Sequence, residues 1–349
     1  MHTALYIFSS ILIIISFVPL IRNDYWTFRV FEYPRLQKLV LTIVSLVLLV
    51  IFCEKTTIFY IYITLLSGTI IYLTKQILPF TPIGKKQILR AKKDIPDQSI
   101  SIMISNVFED NTNYQGCIAE IKKTGADVVL LLETSHKWME ELREATDAYP
   151  FRIEKPIDNT YGMLLYSKLE LKDSKVKFLV EDDIPSIHTK VILPSGELVQ
   201  LYAVHPTPPV PNENPRSTER DKELLMIADE AEKSEVPVIV CGDLNDVAWS
   251  YTTELFLKTS QLLDPRRGRF FLNTFHAHHF FMRFPLDHIF CSTDFKLKRM
   301  KRLYNFNSDH FPILTELQYE RSADIEQEEN TLDVDQEDIA LAKEKKEKC

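Results

Sequence analysis

The sequence carries Gly242-Asp243-Leu244-Asn245 after the apolar run Val236–Cys241, and Ser308-Asp309-His310-Phe311-Pro312 further along. The run reads as a buried strand, and a glycine at its end permits a tight turn. An acid and an amide therefore sit at the strand's carboxyl end. The second motif sets an acid beside an imidazole, just before the strand-like run Phe311–Leu314. The same placement recurs. Asn106 follows Ile102–Ser105, Glu133 follows Val128–Leu132, His205 follows Leu201–Val204, and Asp287-His288 precedes Ile289–Cys291. One such residue alone is an ordinary turn residue or cap. A set of them at strand ends, where α/β proteins place their chemistry, points to one metal-assisted site. Glu133, Asn106 and Asp309 offer hard oxygen atoms, which suit Mg²⁺ or Mn²⁺. His276-Ala277-His278-His279 fits no zinc spacing, so zinc is not expected.

In this order, Asn106, Glu133, His205, Gly242–Asn245, Asp287-His288-Ile289 and Ser308–Pro312 resemble the endonuclease/exonuclease/phosphatase (DNase I-like) superfamily. Tyr161–Lys168 resembles its glycine-led central strand. His205–Pro209, Trp249-Ser250 and Asp264–Arg269 resemble a bacterial membrane-anchored branch. The resemblance spans Ser99 to Gln318 and implies hydrolysis of a phosphate ester. It implies that Glu133, helped by Asn106 and Asp309, anchors the divalent metal, which polarises the phosphoryl oxygens. Asp243 then orients or deprotonates water, and Asn245 donates a hydrogen bond to the phosphoryl group. His310, oriented by Asp287, acts on the phosphate, and His205 assists the leaving oxygen from the opposite side. One position departs from the exonuclease III pattern: Phe108 stands where an acid follows the strand-end Asn.

Strands are expected at Ser99–Val107, Asp127–Leu132, Gly162–Ser167, Lys175–Val180, His188–Leu193, Leu198–Val204, Asp287–Cys291, Lys296–Leu303 and Phe311–Gln318. Helices are expected at Tyr114–Thr124, Trp138–Ala148, Thr218–Ser234 with Ser217 as N-cap, and Tyr251–Thr259 capped by Ser250. This mixture indicates an α/β domain over residues 99–319. The resemblance makes it a four-layer α/β sandwich of two mixed β-sheets.

Ahead of it, residues 1–78 hold three uncharged apolar runs, Ala4–Ile21, Leu39–Cys53 and Thr56–Thr74, read as about three transmembrane helices. A linker at 79–98, with Pro79, Pro82, Gly84 and Pro96, breaks the helix. With three spans, Arg22, Arg29, Arg35 and Lys38 share a side with Lys75 and the cluster Lys85–Lys93, against Lys55 alone opposite. The positive-inside rule then places the domain in the cytoplasm of a multi-pass membrane protein. Residues 320–349 are charged, with few large apolar side chains, and are expected to be disordered. Among five cysteines, Cys117, Cys241 and Cys291 read as small buried hydrophobes.

The net charge is −8 over 349 residues, so no whole-protein basic field is present to hold nucleic acid. Arg266, Arg267 and Arg269 form a basic segment suited to a second phosphate or polyanion. Phe270, Phe271, Phe275, Phe280, Phe281 and Phe284 follow it, as core or as a lipid- or base-stacking wall. The expected substrate is a phosphodiester, either nucleic acid or a phospholipid headgroup. The alternative is a non-catalytic membrane scaffold that keeps the fold.

Overall fold

Three apolar helices, His2–Phe17, Arg35–Phe52 and Thr57–Ile77, open the computed structural model, which describes residues 2–348. Counting the short turns that extend them to Leu20 and Phe80, each is long and apolar enough to cross a bilayer. They meet through small polar groups. The Ser9 and Ser45 hydroxyls are 2.8 Å apart, and those of Ser10 and Tyr62 are 2.7 Å apart. The second helix begins at Arg35 rather than Leu39. Its polar first turn is satisfied: Arg35 lies 3.8 Å from Glu32, and Lys38 donates to the carbonyls of Ile15 and Phe31.

The strands follow: β1 (Ser99–Asn106), β2 (Val128–Leu132), β3 (Phe151–Lys155), β4 (Met163–Ser167), β5 (Leu171–Lys177), β6 (Ser186–Ile192), β7 (Leu198–Val204), β8 (Val238–Asp243), β9 (Asp287–Cys291), β10 (Phe295–Arg302) and β11 (Ile313–Tyr319). They make a six-stranded sheet, β10-β11-β1-β2-β4-β3, and a five-stranded sheet, β5-β6-β7-β8-β9. Period-two alternation builds the layers. Ile102, Leu130 and Leu165 face inward against Leu201, Cys241 and Ile289 of the other sheet. Met103, Val129 and Leu131 face outward and are covered by Ile118, Ile121 and Trp138. On the far side, Val204, Val240 and Phe290 are covered by Leu224, Ala228 and Phe256 from helices Thr218–Glu232 and Tyr251–Ser260. The result is the four-layer sandwich of two mixed sheets.

Only β1–β2 and β7–β8 pair in parallel; their neighbours β11 and β9 run antiparallel to them. The carboxyl ends of β1, β2, β7 and β8 therefore share one rim with the amino ends of β9 and β11. Gly242 sets that rim. At φ 145°, an added Cβ would lie 1.9 Å from the Val204 carbonyl oxygen, which only glycine avoids.

Further expectations change, and the strand expected at Lys175–Val180 is β5, at Leu171–Lys177. Strand β3 is an edge strand whose half-exposed pattern carried too little apolar signal to read. The helix expected over Trp138–Ala148 is a short one at His136–Glu141 followed by a 3-10 turn. Ser250 caps its helix by accepting from the Thr253 N–H, but the Ser217 hydroxyl instead donates to Asp221. The tail is not disordered: Arg321–Gln327 and Gln336–Glu347 are helical. Charges fix it together with a few apolar contacts, Leu341 and Ala342 packing with Leu225 and Leu255 of the domain. Buried Lys345 lies 2.6 Å from Asp24 and 2.7 Å from Asp221, and Asp335 closes a capping box with Asp338. Cys117, Cys241 and Cys291 are buried, free thiols; Cys349 lies outside the described residues.

Candidate active site

Register brings the polar strand ends together. Asn106 pairs with Leu132, so Glu133 stands beside it, and Asp243 pairs with Asp287 across β8 and β9. The Asn106 amide nitrogen donates to Glu133 Oε1 at 2.6 Å and to Asp243 Oδ2 at 3.1 Å. Its two hydrogens thus clasp two carboxylates from different sheets. Its oxygen accepts from the Phe108 N–H at 3.0 Å, an Asx turn that leaves a second lone pair for an ion. Glu133 and Asn245 both have left-handed backbone, φ 57° and 48°, a strain that clusters at functional sites.

His310 completes the cluster. Its Nδ1 lies 2.8 Å from Asp287 Oδ2, and its Nε2 lies 3.5 Å from Asp243 Oδ2. Asp287 is aimed by Thr274, whose hydroxyl oxygen accepts from the Leu286 and Asp287 N–H groups. The Phe275 ring packs 5.0 Å from the His310 ring. His205 Nε2 approaches Asp243 Oδ2 from the other side at 4.0 Å, and the Tyr161 ring covers it at 5.3 Å. Asn245 ties one amide hydrogen to the Pro206 carbonyl, leaving the other free to donate.

The two imidazoles are driven apart in basicity. Burial lowers His205 to about 4, against the Asp243 charge, so it is neutral at neutral pH. Burial also acts against charge on His310, but Asp287 and Asp243 outweigh it and hold the ring at about 10. Burial pushes Glu133 up to about 7, despite the Asn106 hydrogen bond, and raises Asp243 as well. Clustered, desolvated carboxylates of this kind gain most from a divalent cation. Asp309 Oδ1 and Asp287 Oδ1 are buried without a partner, and carboxylate oxygens of Asp243 and Asp287 and a ring nitrogen of His310 lie within 4.8 Å of one another. The oxygens of Glu133, Asn106 and Asp309 fit a hard cation, whereas His310, held as an imidazolium, has no lone pair to offer one.

The sequence model described as the endonuclease/exonuclease/phosphatase family matches residues 103–310. The chain belongs to that family. Members of the family are phosphoesterase hydrolases. No curated protein matches the chain. Among solved structures, a family protein from Bacteroides thetaiotaomicron has a TM-score of 0.53 at 16% identity, over 64% of this chain and 98% of that one. D. rerio TDP2 complexed with a single-strand DNA product gives 0.52 at 16% identity, over 63% of this chain and 99% of that one. The human nocturnin catalytic domain with bound sulfate gives 0.51 at 18% identity, over 65% and 96%. At such identities the likeness is one of fold.

The arginines expected to bind substrate lie elsewhere within this family fold. Arg266 is fully buried, forked onto Asp264 at 2.7–2.9 Å, and its Nη2 donates to His288 Nδ1 at 2.7 Å. His288 must then donate from Nε2 to the Asp246 carbonyl, 2.8 Å away. Arg267 lies over the Phe80 ring, and Arg269 donates to the carbonyls of Pro265 and Ile88. The segment braces β9 and clamps the linker. Thr274 and Tyr161 were not read as site residues, because nothing in their local sequence marks them, and Phe275 was read only as core or as part of a stacking wall. Tyr33 and Arg220 were missed too: the Tyr33 hydroxyl and Arg220 Nη1 both donate to the Asn245 carbonyl, at 2.8 and 2.7 Å.

Proposed function

We propose that the chain is a membrane-anchored, divalent-metal-dependent phosphodiesterase. The observation that carries this is one continuous buried cluster, Glu133–Asn106–Asp243–His310–Asp287, drawn from both sheets. Glu133, Asn106 and Asp309 would hold Mg²⁺ or Mn²⁺, which when bound polarises a phosphoryl oxygen and offsets developing charge. Asp243, near both imidazoles, orients the attacking water and takes its proton. Asn245 donates its free amide hydrogen to the phosphoryl group. His310, charged and fixed by Asp287, stabilises the phosphoryl oxygens from its Nε2. His205 stands across Asp243, on the side where the leaving oxygen departs. The DNA product on TDP2 and the sulfate on nocturnin are ligands of the anionic class that such a site accepts.

Three apolar helices supply the anchor. The loop at 22–34 packs on the domain through Tyr33, which supports the reading that the two lie on one side, as three spans require. The excess of Lys and Arg on that side makes it cytoplasmic; protease protection in sealed cells would report the opposite orientation directly. The catalytic test uses the full chain in detergent with Mg²⁺ or Mn²⁺ and bis-p-nitrophenyl phosphate. Glu133→Ala is expected to lower metal-dependent hydrolysis by on the order of 10²-fold or more. A variant as active as wild type would sink the assignment and leave a scaffold.

A further inference from the structure

The segment Phe275–Phe284 leaves the catalytic centre and returns to it. Its base is closed by the Phe275 N–H donating to the Phe284 carbonyl at 3.0 Å, and the Ala277 N–H donates to the Asp309 carbonyl at 2.6 Å. Its tip projects Phe280, Phe281 and Met282, which are 70%, 79% and 57% exposed. Such an apolar tip in water marks an interaction surface. The tip touches the anchor, where Gln37, in the first turn of the second spanning helix, donates to the Phe281 carbonyl at 2.8 Å.

Between tip and helix runs an apolar groove of about 930 Å³. That is within the range of small-molecule sites, roughly 300–1,000 Å³. Leu36, Val40 and Leu41 form one wall, and Phe271 and Phe281 the other. Val40 and Leu41 belong to the apolar span, so the groove is continuous with the surface that faces acyl chains. Arg283 and Arg302 also line it, and both guanidiniums lie over the Phe311 ring, at 5.0 and 4.1 Å. Among the described residues neither has a carboxylate partner, and Arg283 Nε is buried without a hydrogen-bond partner. Each donates to one backbone carbonyl, Arg283 to Ala277 and Arg302 to Asn273, both at 3.0 Å, and two adjacent guanidiniums with donors left over and no carboxylate favour an anion. Arg283 Nη2 donates to the Ala277 carbonyl, and the Ala277 N–H donates to the Asp309 carbonyl, which ties this anion site to the catalytic loop.

We propose that the groove holds an acyl chain of a bilayer phospholipid while Arg283 and Arg302 take its phosphate, so that the substrate is a membrane lipid phosphodiester. This rests on the phosphodiesterase reading above. Water oxygen bonds to phosphorus, one P–O ester bond breaks, and the departing alkoxide receives the proton that the water gives up. The apolar lining and the net charge of −8 disfavour nucleic acid in the same place.

The test places the full chain in phosphatidylcholine vesicles containing a photoactivatable phosphatidylglycerol, with Mg²⁺. Wild type is expected to cleave phosphatidylglycerol and to be labelled on the Leu36–Leu41 segment. Val40→Trp, which fills the groove, and Arg302→Gln are each expected to lower the rate on this lipid, relative to bis-p-nitrophenyl phosphate, by roughly tenfold or more. Val40→Trp should also remove the label. Cleavage of the soluble diester without the lipid overturns the proposal and spares the phosphodiesterase reading, as does faster cleavage of single-stranded DNA. If wild type cleaves neither, the phosphodiesterase reading fails; the labelling then decides the groove alone, and unlabelled Leu36–Leu41 overturns it.

Discussion

His310 lies between two carboxylates, and the one behind it sets its state. Asp287 holds Nδ1 at 2.8 Å, leaving Nε2 toward Asp243. Asp287→Asn keeps the shape but removes the charge that stabilises the imidazolium. The expected result is a fall in kcat on the order of 10²–10⁴ with little change in KM, read by steady-state kinetics on a soluble diester. A kcat within twofold of wild type, roughly within experimental spread, would free His310 from that role. The coming together of these residues was legible in the motifs, because residue type and strand end suffice to put them on one rim. The motifs misread Arg266 because a guanidinium two residues from an Asp can fold back on it, as it does here at 2.7 Å. Arg266→Met leaves Asp264 buried and unpaired, which costs about 3–5 kcal/mol. A lowered Tm at unchanged KM is expected; a raised KM at unchanged Tm would return Arg266 to substrate binding.

The loop between the first two apolar helices does more than connect them. Trp249 Nε1 donates to the Glu32 carbonyl at 2.9 Å, and Arg29 lies 3.1 Å from the Glu32 carboxylate. Tyr33 and Arg220 converge on the Asn245 carbonyl, at a residue whose left-handed backbone needs external support. Tyr33→Phe removes one hydrogen bond worth about 0.5–1.5 kcal/mol. Its expected signature is a several-fold lower kcat, about what that energy allows, with metal affinity intact. From the sequence this loop read only as positive charge beside the membrane, since its partners lie over two hundred residues away in the chain. Helix Thr218–Glu232 carries a second consequence. Burial, with the Glu181 charge, pushes Glu223 up to about 8, and its Oε1 has no partner. The folded chain thus keeps a proton that the unfolded chain releases near about 4.3. Stability is unaffected below that value and declines as pH rises toward about 8. Glu223→Gln should abolish this decline between about pH 5 and about pH 8; urea midpoints that fall equally in both proteins would refute it.

At the scale of the molecule, apolar helices, linker, domain and tail interlock. The linker is fastened by the Gly268 N–H donating to the Pro79 carbonyl at 2.6 Å, and by Gln87 accepting from the Asp264 N–H at 2.8 Å. The tail's Lys345 bridges Asp24 of the inter-span loop and Asp221 of the domain. Asp221 is in turn paired with Arg220 at 2.9 Å, and Arg220 holds Asn245. Opposite charges hold Asp221 far below the usual carboxylate range despite its burial. The strands and the α/β class were legible because they rest on apolar periodicity, and the sandwich because the motifs resemble a known family, whereas this interlock rests largely on isolated charges that acquire meaning only in three dimensions. A chain cut to 99–319 keeps both sheets and every motif, yet loses Glu32, Tyr33, Lys345 and the linker clamp, and exposes Trp249 and Phe284. Losing Lys345 leaves one acid of a buried network short of a cation, a defect of about 3–5 kcal/mol when uncompensated. The excised domain is therefore expected to unfold at lower temperature than the full chain in the same detergent, and to turn over a soluble diester more slowly. Lys345→Met in the full chain should reproduce part of the loss, with faster amide exchange over Gln336–Glu347. An excised domain matching the full chain in both Tm and kcat would show that the anchor and tail are mere attachments, and that Asn245 is held by the sandwich alone.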